Sequence, residues 1–205
     1  MFNGTFREFF PDIESLEIFT ATRLMPIITP HRIRFHAETL LIILSVYAAV
    51  NLITARYVVD GPSMEPNFIT GQFIVVNRLL YWFASPARGD VIVFHNPEDP
   101  SRDLIKRVIG LPDETIRIED GSVYVNGKLL LEPYVKSLCA NHRCDSTWTL
   151  DATHYLVLGD NRNQSHDGHN FGPLDRTLIV GRAWARYWPP TAWGMIPSVS
   201  YKEPS

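Results

Sequence analysis

The sequence has little basic charge, only two cysteines and a single long uncharged apolar run. Its 22 acidic side chains outnumber its 19 lysines and arginines, which gives a formal net charge of -3. Nucleic-acid-binding domains usually carry a basic excess, so this balance argues against a nucleic acid as partner. The chain shows no internal repeat or low-complexity segment, and its 205 residues are enough for one ordinary domain with short additions.

The two cysteines, Cys139 and Cys144, lie close together in the polar stretch SLCANHRCDS. Such spacing in a turn-rich segment favours a local disulfide in an oxidising compartment, with a stabilisation of roughly 2 kcal/mol in the chain-entropy model. Two reduced thiols are the simpler alternative. A zinc site that adds His142 is weaker, because it supplies only three ligands without the usual paired spacing. We therefore expect the disulfide.

Residues 39–55 contain no charged side chain and are bracketed by Glu38 and Arg56. This run is near the lower limit of length for a spanning helix, and snorkelling of Arg56 would add residues 57–59 to the usable length. A buried core helix or a signal peptide's apolar region would give a similar run. The long preceding tail and the poor small-x-small site at residues 53–55 argue against cleavage, so we predict an uncleaved transmembrane anchor at residues 36–57.

Two basic residues, Arg32 and Arg34, lie just before this anchor, whereas Arg56 follows it. Basic residues beside a spanning helix favour the cytoplasmic side. We therefore predict a cytoplasmic tail at residues 1–35 and an extracytoplasmic domain at residues 58–205 of a single-pass cell-membrane protein. The aromatic-rich tail fits either an interfacial amphipathic helix or a poorly ordered terminus.

Short apolar runs rich in β-branched side chains follow the anchor, and they are typical of strands. Asp120-Gly121 and Asn126-Gly127 between alternating segments are strong hairpin signals. The pattern predicts a mostly β fold, a small antiparallel β domain preceded by one N-terminal transmembrane helix. The predicted strands are residues 73–76, 91–94, 104–109, 115–118, 123–125, 155–158 and 178–188.

The stretch VVDGPSMEPNF at residues 58–68 places Ser63 in a tight turn. Gly61 and Pro62 force a turn before this serine, and Pro66 closes it. The serine is thereby exposed and poorly placed for packing, although a serine in such a loop is most often structural.

In DLIKRVIGLPDE, residues 103–114, a lysine stands inside an apolar strand. Strand alternation puts Lys106 on one face with Leu104 and Val108, and Arg107 on the other face, so at least one of the two cations must be covered. Apolar surroundings disfavour the charged form of lysine and lower its pKa, which makes the amine a credible base. Taken alone, a salt-bridged strand lysine is the simpler interpretation.

The polar loop GDNRNQSHDGHNFGPL at residues 159–174 follows a predicted strand. With it, the chain resembles the bacterial type I signal peptidases over roughly two thirds of its length. A Ser-Met-x-Pro box, the RGDVIVF box, the KRVIGLP box and the GDNR-x-x-S-x-D box occur in the family's order, with a leading apolar segment and a trailing VGRAWARYWP. Each box alone is weak, but four in order make coincidence improbable. The short spacing from Ser63 to Lys106 is similar to that of the Gram-positive-type members.

The resemblance implies a membrane-bound serine endopeptidase that cleaves signal peptides from exported precursors after small-x-small sites. Ser63 would be the nucleophile and Lys106 the general base, because a desolvated lysine can supply the base at neutral pH. Ser165 would hydrogen-bond the lysine, and the Ser63 backbone N–H would stabilise the oxyanion. Supporting or orienting roles fall by the same resemblance on Asp160, Asp167 and Arg107.

The resemblance also implies how a precursor would bind. It would lie extended between residues 58–61 and 103–106 and add a strand by main-chain hydrogen bonds, with small side chains in shallow apolar pockets. The implied partners are exported precursors, membrane lipid and the secretion translocon, with no metal or organic cofactor. The implied substrate-binding residues are Val59, Asp60, Gly61, Met64, Phe68, Asp103, Leu104 and Ile105.

Two positions depart from the family pattern. Some members carry an oxyanion-stabilising serine where this chain has Gly61, so the second oxyanion donor is left unassigned. The family commonly reads S-x-D-S-R, whereas this chain has Asp167-Gly168-His169 after Ser165-His166. A histidine pairs with Asp167 only as strongly as its protonation allows, so we expect a more pH-sensitive loop.

Other interpretations stay open at this point. A Ser/His/Asp hydrolase could use His166 or His169, but the sequence lacks the Gly-x-Ser-x-Gly elbow. A metal site from His166, Asp167, His169 and Asp160 would lack the rigid helical spacing of known hydrolase motifs. Self-cleaving SOS-type repressors share the Ser–Lys chemistry but are soluble and carry a DNA-binding N-terminal domain. A specialised processing peptidase and an inactive membrane-tethered binding module are the remaining alternatives.

Overall fold

The computed structural model describes residues 30–199 and 201, so most of the predicted tail, residues 1–35, lies outside the described part of the chain. The chain consists of two compact units, the first ending at Leu44 and the second beginning at Ser45.

The first helix, α1, spans Pro30–Ile53. Its segment Arg34–Ile53 is 20 residues long and is apolar enough to cross a membrane by length and composition. Leu40, Leu41, Ile42 and Ile43, on successive faces of the helix, are all exposed, so it has no single apolar stripe.

The helix boundaries differ from those of the predicted 36–57 anchor at both ends. The helix begins earlier, at Pro30, because proline has a fixed backbone angle suited to the first helical turn and lacks the N–H that this turn leaves unpaired. It ends at Ile53, since residues from Thr54 onward pair with a neighbouring strand. The helix therefore ends before residue 57, the predicted end of the anchor.

The rest of the described chain is mostly strand. The strands are β1 Thr54–Val58, β2 Phe73–Asn77, β3 Val91–His95, β4 Asp103–Gly110, β5 Thr115–Glu119, β6 Ser122–Val125, β7 Lys128–Leu129, β8 Ser146–Thr149, β9 His154–Leu158, β10 Leu174–Asp175, β11 Ile179–Trp188 and β12 Gly194–Met195. Two short helices, α2 Leu80–Phe83 and α3 Gly168–Phe171, join them, with 3-10 turns at Arg162–Gln164, Arg176–Leu178 and Pro190–Ala192.

The strands form two antiparallel sheets. The larger has the order β1-β2-β11-β3-β4-β9-β10, with β12 also paired to β11, and the smaller has the order β7-β6-β5-β8. The predicted fold class, a mostly antiparallel β domain with an N-terminal apolar helix, is confirmed. All seven predicted strands are present, with shifts at their ends.

Both predicted hairpins are also present. Asp120 and Gly121 take positive φ angles of 50° and 74° between β5 and β6, and Asn126 and Gly127 take 49° and 81° between β6 and β7. Residues that tolerate a positive φ allow the tight turn that joins two twisted strands.

The predicted disulfide joins Cys139 to Cys144. Both cysteines are buried and pack with Ile116 and Ile118 of β5 in one hydrophobic cluster. Because both sulfurs are in the disulfide, the zinc alternative with His142 is wrong.

Candidate active site

The loop between β1 and β2 carries Ser63. Val59, Met64 and Phe68 of this loop are 3%, 0% and 2% exposed and pack in one cluster with the strands below. The Val59 N–H also donates to Gln72 O at 2.8 Å, which closes the base of the loop. Ser63 itself stays partly exposed, so the buried neighbours fix the loop while the hydroxyl remains accessible.

The strand β4 brings Lys106 to this serine. Lys106 Nζ donates hydrogen bonds to Ser63 Oγ at 2.9 Å and to Ile105 O at 2.9 Å, although the two residues of the pair are 43 positions apart. The lysine is 2% exposed, and its direct cross-strand neighbour is the fully buried Ile92. The sequence pattern therefore correctly placed a covered amine in this strand.

Burial lowers the pKa of Lys106 from its usual value to about 8. The negative charges of Asp167 and Asp160 oppose this effect, because they favour the protonated amine. The resemblance assigned both carboxylates supporting roles, but no sequence pattern predicted that they act on the charge of the lysine. A pKa near 8 leaves a useful fraction of neutral amine at physiological pH, which suits a general base.

The adjacent cation, Arg107, is buried as well, at 4% exposure. Its guanidinium makes a two-pronged ion pair with Asp160, with Nε–Oδ1 and Nη2–Oδ2 distances of 2.8 and 2.6 Å. It also donates to Gly89 O and lies 4.1 Å from the ring centroid of Tyr134. Arg107 thus holds Asp160, rather than touching the serine.

The residues that follow β9 form hydrogen bonds with the serine loop. The Asn161 backbone N–H donates to Ser63 O at 3.0 Å, and its side chain donates to Pro62 O at 3.1 Å. Asn67, on the same loop, donates to Asp160 Oδ2 at 2.9 Å. Asn161 and Asn67 were missed by the sequence reasoning, although Asn161 lies within the polar box that suggested an orienting loop.

Gly159 allows this close approach. A Cβ atom on this residue would stand 2.5 Å from Ser63 O and would also overlap the Ser165 side chain. Arg162 fixes the glycine from the other side: its Nε donates to Gly159 O at 3.0 Å, and its other nitrogens pair with the carboxylate of Glu132. This buried pair is a further supporting element that the sequence reasoning missed.

The expected hydrogen bond from Ser165 to Lys106 is not formed. Within the described residues, Ser165 Oγ is buried without a hydrogen-bond partner of ordinary geometry, because the lysine amine is directed at Ser63 and at Ile105 O. The serine nevertheless lies beside the site, since both it and Ser63 border Gly159.

Asp167 is fully buried and links the polar loop to β9. It accepts hydrogen bonds from the Gly159 N–H at 2.7 Å and from His169 at 2.7 Å, and it caps α3. Burial alone would raise the pKa of Asp167, but the hydrogen bonds from His169 and from the Gly159 N–H favour the charged carboxylate, and the pKa is lowered. The expected pairing of His169 with Asp167 is present.

The histidines do not form the arrangement that a histidine base requires. His166 pairs with Glu98 at 2.6 Å on the exposed surface, and His169 pairs with Asp167. In the described part of the chain, Lys106 is the side chain that hydrogen-bonds Ser63 Oγ.

The rival metal group is not assembled either. The oxygens of Asp160 are engaged by Arg107 and Asn67. Among the residues that the structure describes, the group with suitable ligand spacing is a different one, the exposed Asp120, His142 and Asp145.

Two strand edges border the site. The first half of β4, from Asp103, pairs with β3 alone, because the β9 pairing begins only at Arg107. Across from it, β1 pairs with β2 on one side only within the described sheet. Burial raises the pKa of Tyr57 on β1 to about 12, with the hydrogen bond and the charge of Asp103 adding to the effect, so the two edges approach each other.

The predicted substrate-binding residues therefore separate into groups. Ile105 packs against the cluster under the serine loop and is only partly buried. Asp103 is exposed at the start of β4, and Asp60 is exposed in the serine loop just after β1. Gly61, with a φ of 85°, shapes the turn before the serine. Leu104 instead packs on the opposite cluster with Phe94. Met64 and Phe68 are too deeply buried to line an open pocket, because the loop closes over them. Together with Val59 they form the buried underside of the serine loop.

Comparison with known proteins identifies the family of the chain. The family model described as "Signal peptidase, peptidase S26" matches residues 32–188. Signal peptidase I of Leptolyngbya laminosa is 40% identical over 173 residues, which cover 77% of this chain and 82% of that protein. Signal peptidase I V of Bacillus subtilis (strain 168) is 39% identical over 143 residues, covering 64% and 84%.

A solved structure is also similar in part. The crystal structure of a signal peptidase I from Enterococcus faecalis V583 has 32% sequence identity and a TM-score of 0.43, covering 48% of this chain and 97% of that one. From the family match and the identity to these relatives, the chain belongs to the signal peptidase family, peptidase S26, and is a hydrolase of the type I signal peptidase class.

Proposed function

We propose that this signal peptidase is a membrane-anchored serine endopeptidase whose nucleophile is Ser63 and whose general base is Lys106. The observation that carries the proposal is the 2.9 Å contact between Lys106 Nζ and Ser63 Oγ, made by an amine that burial drives towards its neutral form. A serine hydroxyl is a poor nucleophile until a base takes its proton.

In the first half of the reaction, the neutral amine accepts the hydroxyl proton as Ser63 Oγ attacks the scissile carbonyl carbon. The Ser63 backbone N–H donates to the resulting oxyanion. The Lys106 ammonium then returns the proton to the leaving amine nitrogen, the C–N bond breaks, and the mature protein departs with a free amino terminus. The signal peptide stays bound to Ser63 as an ester.

In the second half, Lys106 removes a proton from a water molecule, which attacks the ester carbonyl. Collapse of the second tetrahedral intermediate breaks the bond to Ser63 Oγ, and the proton returns to that oxygen. The Ile105 carbonyl accepts from the same amine, so it keeps Nζ directed at the serine through both halves. Asp160, Asp167, Ser165 and Arg107 act as positioning residues around this pair.

The substrate is proposed to be the cleavage region of a signal peptide in extended form. The first half of β4 pairs with β3 alone, so its other edge offers free main-chain groups at the side of Lys106, and β1 offers a second edge. A peptide between them adds a strand by main-chain hydrogen bonds. The cluster beneath the loop closes the floor of this groove, which favours small side chains before the cut.

We infer further that α1 anchors the domain at the membrane, with the N-terminus in the cytoplasm and residues 58–205 outside. Arg32 and Arg34 at the start of the helix support this orientation. Membrane lipid is then a permanent partner, and the translocon that delivers precursors is a transient one.

The test of the dyad uses the full chain in detergent with a signal-peptide-bearing precursor. Ser63→Ala should abolish cleavage, and both Lys106→Ala and Lys106→Arg should lower kcat by on the order of 10²–10⁴-fold, because a guanidinium stays charged. Lys128→Ala, at an exposed position of β7, is the matched control and should keep full activity. Substantial activity in Lys106→Ala would exclude the dyad, and an inactive wild-type chain would favour a binding module.

Orientation and substrate range have separate tests. A tag at Ser205 should be digested when protease is added outside intact spheroplasts; protection until lysis would reverse the topology. Cleavage of several unrelated precursors would identify a general enzyme, whereas cleavage of one alone would identify a specialised processing peptidase.

A further inference from the structure

The segment that follows β12 crosses from one hydrophobic cluster to another. Ile196 is buried in the cluster under the serine loop, whereas Val199 and Tyr201 pack against the cluster of the smaller sheet. The crossing runs over Gly89, where a Cβ atom would stand 2.7 Å from Val199 O and 3.0 Å from the Tyr201 ring. Because so close a contact leaves no room for a side chain, the segment packs directly on the backbone of this glycine.

The same glycine binds the buried arginine of the candidate site. Gly89 O accepts a hydrogen bond from Arg107 Nη1 at 2.9 Å, and the guanidinium lies 4.1 Å from the centroid of the Tyr134 ring. The Tyr201 hydroxyl donates to the Tyr134 hydroxyl at 2.5 Å. Tyr201 therefore lies against both residues that flank the guanidinium, the glycine and the second tyrosine.

Two buried ion pairs meet at Tyr134. Its hydroxyl donates to Glu132 Oε1 at 2.7 Å, and the Glu132 carboxylate also pairs with Arg162. Its ring covers Arg107, which pairs with Asp160. The two arginines are each 4% exposed and Asp160 is 1% exposed. Charges buried this deeply stay favourable only while their partners are in place and water is excluded, so whatever closes this network matters to the site.

We propose that Tyr201 is a positioning residue for the cleavage reaction, which closes the buried ion-pair network to water and through the Arg107–Asp160 pair maintains the setting of the dyad. This rests on the proposed function, because the dyad is what is positioned. The route from Tyr201 to the dyad is short. Asp160 accepts from Asn67 of the serine loop at 2.9 Å, and its negative charge acts on Lys106.

Loss of the Tyr201 ring should loosen Arg107 from Asp160, because water can then compete for both charges. An ion pair acts on a third charge more weakly than an unpaired carboxylate does, so more of the negative charge then acts on the amine of Lys106. That change favours the protonated amine and raises its pKa. Asp167, the other carboxylate that acts on this lysine, has separate hydrogen-bond partners and should stay in place.

The pH–rate profile of the full chain in detergent tests this role. In Tyr201→Ala, the acidic limb of kcat/KM should move up by about one pH unit, so cleavage at pH 7 falls about tenfold while the high-pH plateau stays close to that of the wild type. A merely structural role would lower kcat/KM by one factor at every pH. Burial raises the pKa of the Tyr201 hydroxyl itself to about 12, so this group stays protonated across the range.

Two further variants bracket the result. Tyr201→Phe keeps the ring against Gly89 and should restore most of the wild-type profile. Tyr124→Ala is the matched control, because that ring also lies over an arginine, Arg117, but the pair belongs to β5 and β6 of the smaller sheet. Its acidic limb should coincide with that of the wild type.

Amide hydrogen exchange gives a second readout that needs no turnover. The Asn161 N–H donates to Ser63 O, next in the chain to Asp160, so loosening of the network should speed its exchange by about tenfold in Tyr201→Ala. Tyr124→Ala should leave this exchange unchanged. If Tyr201→Ala does not fold, Tyr201→Leu, which keeps an apolar side chain on the cluster, takes its place in both measurements.

The outcomes distinguish this proposal from the dyad on which it rests. An unchanged acidic limb in a folded Tyr201→Ala or Tyr201→Leu variant, beside an inactive Lys106→Ala, would overturn the positioning role alone. Unchanged exchange of the Asn161 N–H would overturn it as well. Substantial activity in Lys106→Ala would overturn the dyad and the positioning role together.

Discussion

The carbonyl oxygen of Ser63 lies within 2.5 Å of the place that a Cβ atom on Gly159 would occupy. The end of β9 therefore packs against the serine loop with no room for any side chain. The contact is made by backbone, so neither partner can rotate away to relieve an overlap. The position of the proposed nucleophile thus depends on a residue that carries no functional group.

Gly159→Ala should lower kcat by about 10²-fold or more, because the added methyl displaces the Ser63 backbone and misplacement of a reacting atom by about 1 Å is costly. The measurement is precursor cleavage, with circular dichroism to check folding. Gly127→Ala is the control: it adds the same methyl group, at a glycine whose φ is 81°, but meets nothing within 4 Å, so it should keep kcat. Wild-type kcat in folded Gly159→Ala would contradict the tight contact.

Asn161→Ala should lower kcat by about tenfold, since it removes the side-chain hydrogen bond to Pro62 O and leaves the backbone bond to Ser63 O in place. Asn163→Ala is the matched control two residues away. That side chain bonds the Leu138 carbonyl and the Ala140 N–H of the disulfide loop, so its loss should affect stability but not kcat. Equal effects on kcat would mean that the loss reflects general loosening.

Activity should rise with pH through about 8 and level off above it, because the proposed base, Lys106, can accept a proton only in its neutral form and burial lowers its pKa to about 8. Below that value each pH unit should cost about tenfold in kcat/KM. A pH–rate profile measures this limb directly.

The histidine variants test which residue causes the acidic limb of the pH–rate profile. His166→Ala and His169→Ala should both retain it, since their rings pair with Glu98 and Asp167. His169→Ala should shift it by loosening the carboxylate that acts on Lys106. Near-complete loss of turnover in folded His166→Ala would instead identify histidine as the base.

Lys106→Met should stabilise the protein while it abolishes activity. The pKa of this lysine falls from 10.5 to about 8 in the folded state, so below pH 8 both states are protonated and the folded state bears the full cost of a buried charge. As pH rises from 8 to 10.5 the folded state releases the proton first, and this cost disappears. The gain in free energy of unfolding should therefore be on the order of 3 kcal/mol at pH 7 and fade by about pH 10.5.

Denaturant unfolding at several pH values checks the expectation. Lys128→Met, at an exposed position, should show no comparable pH-dependent gain. A Lys106→Met variant that is less stable than the wild type at pH 7 would mean that the hydrogen bonds of the amine outweigh its desolvation.

The long strands were predictable because their β-branched residues alternate, but some of the short strands that pair with them lack this alternation. In β8, the segment STWT is polar and short, and two-residue strands such as β7 have no period to detect. The end of α1 was placed too late, because apolar character continues from helix into β1. Only the pairing with β2 decides where helix stops and strand begins.

The site residues that contribute a side chain were predictable from the sequence, whereas those that contribute a backbone group were harder to predict. Ser63 and Lys106 stand out by residue type and setting, and the structure joins them. Asn161 contacts Ser63 through its backbone N–H, a group that every residue but proline possesses, so its residue type did not reveal that contact. For Ser165, sequence could place the residue beside the site but could not settle which way its hydroxyl points.

The position of β11 in the larger sheet has a consequence for biogenesis. β2, which follows the serine loop, and β3, which precedes the lysine strand, do not pair with each other; β11 lies between them and hydrogen-bonds both. It is also the last long strand in chain order. The two halves of the sheet can therefore be joined by strand pairing only after β11 has been synthesised, so a polypeptide that stops before β11 lacks the frame that brings Ser63 to Lys106.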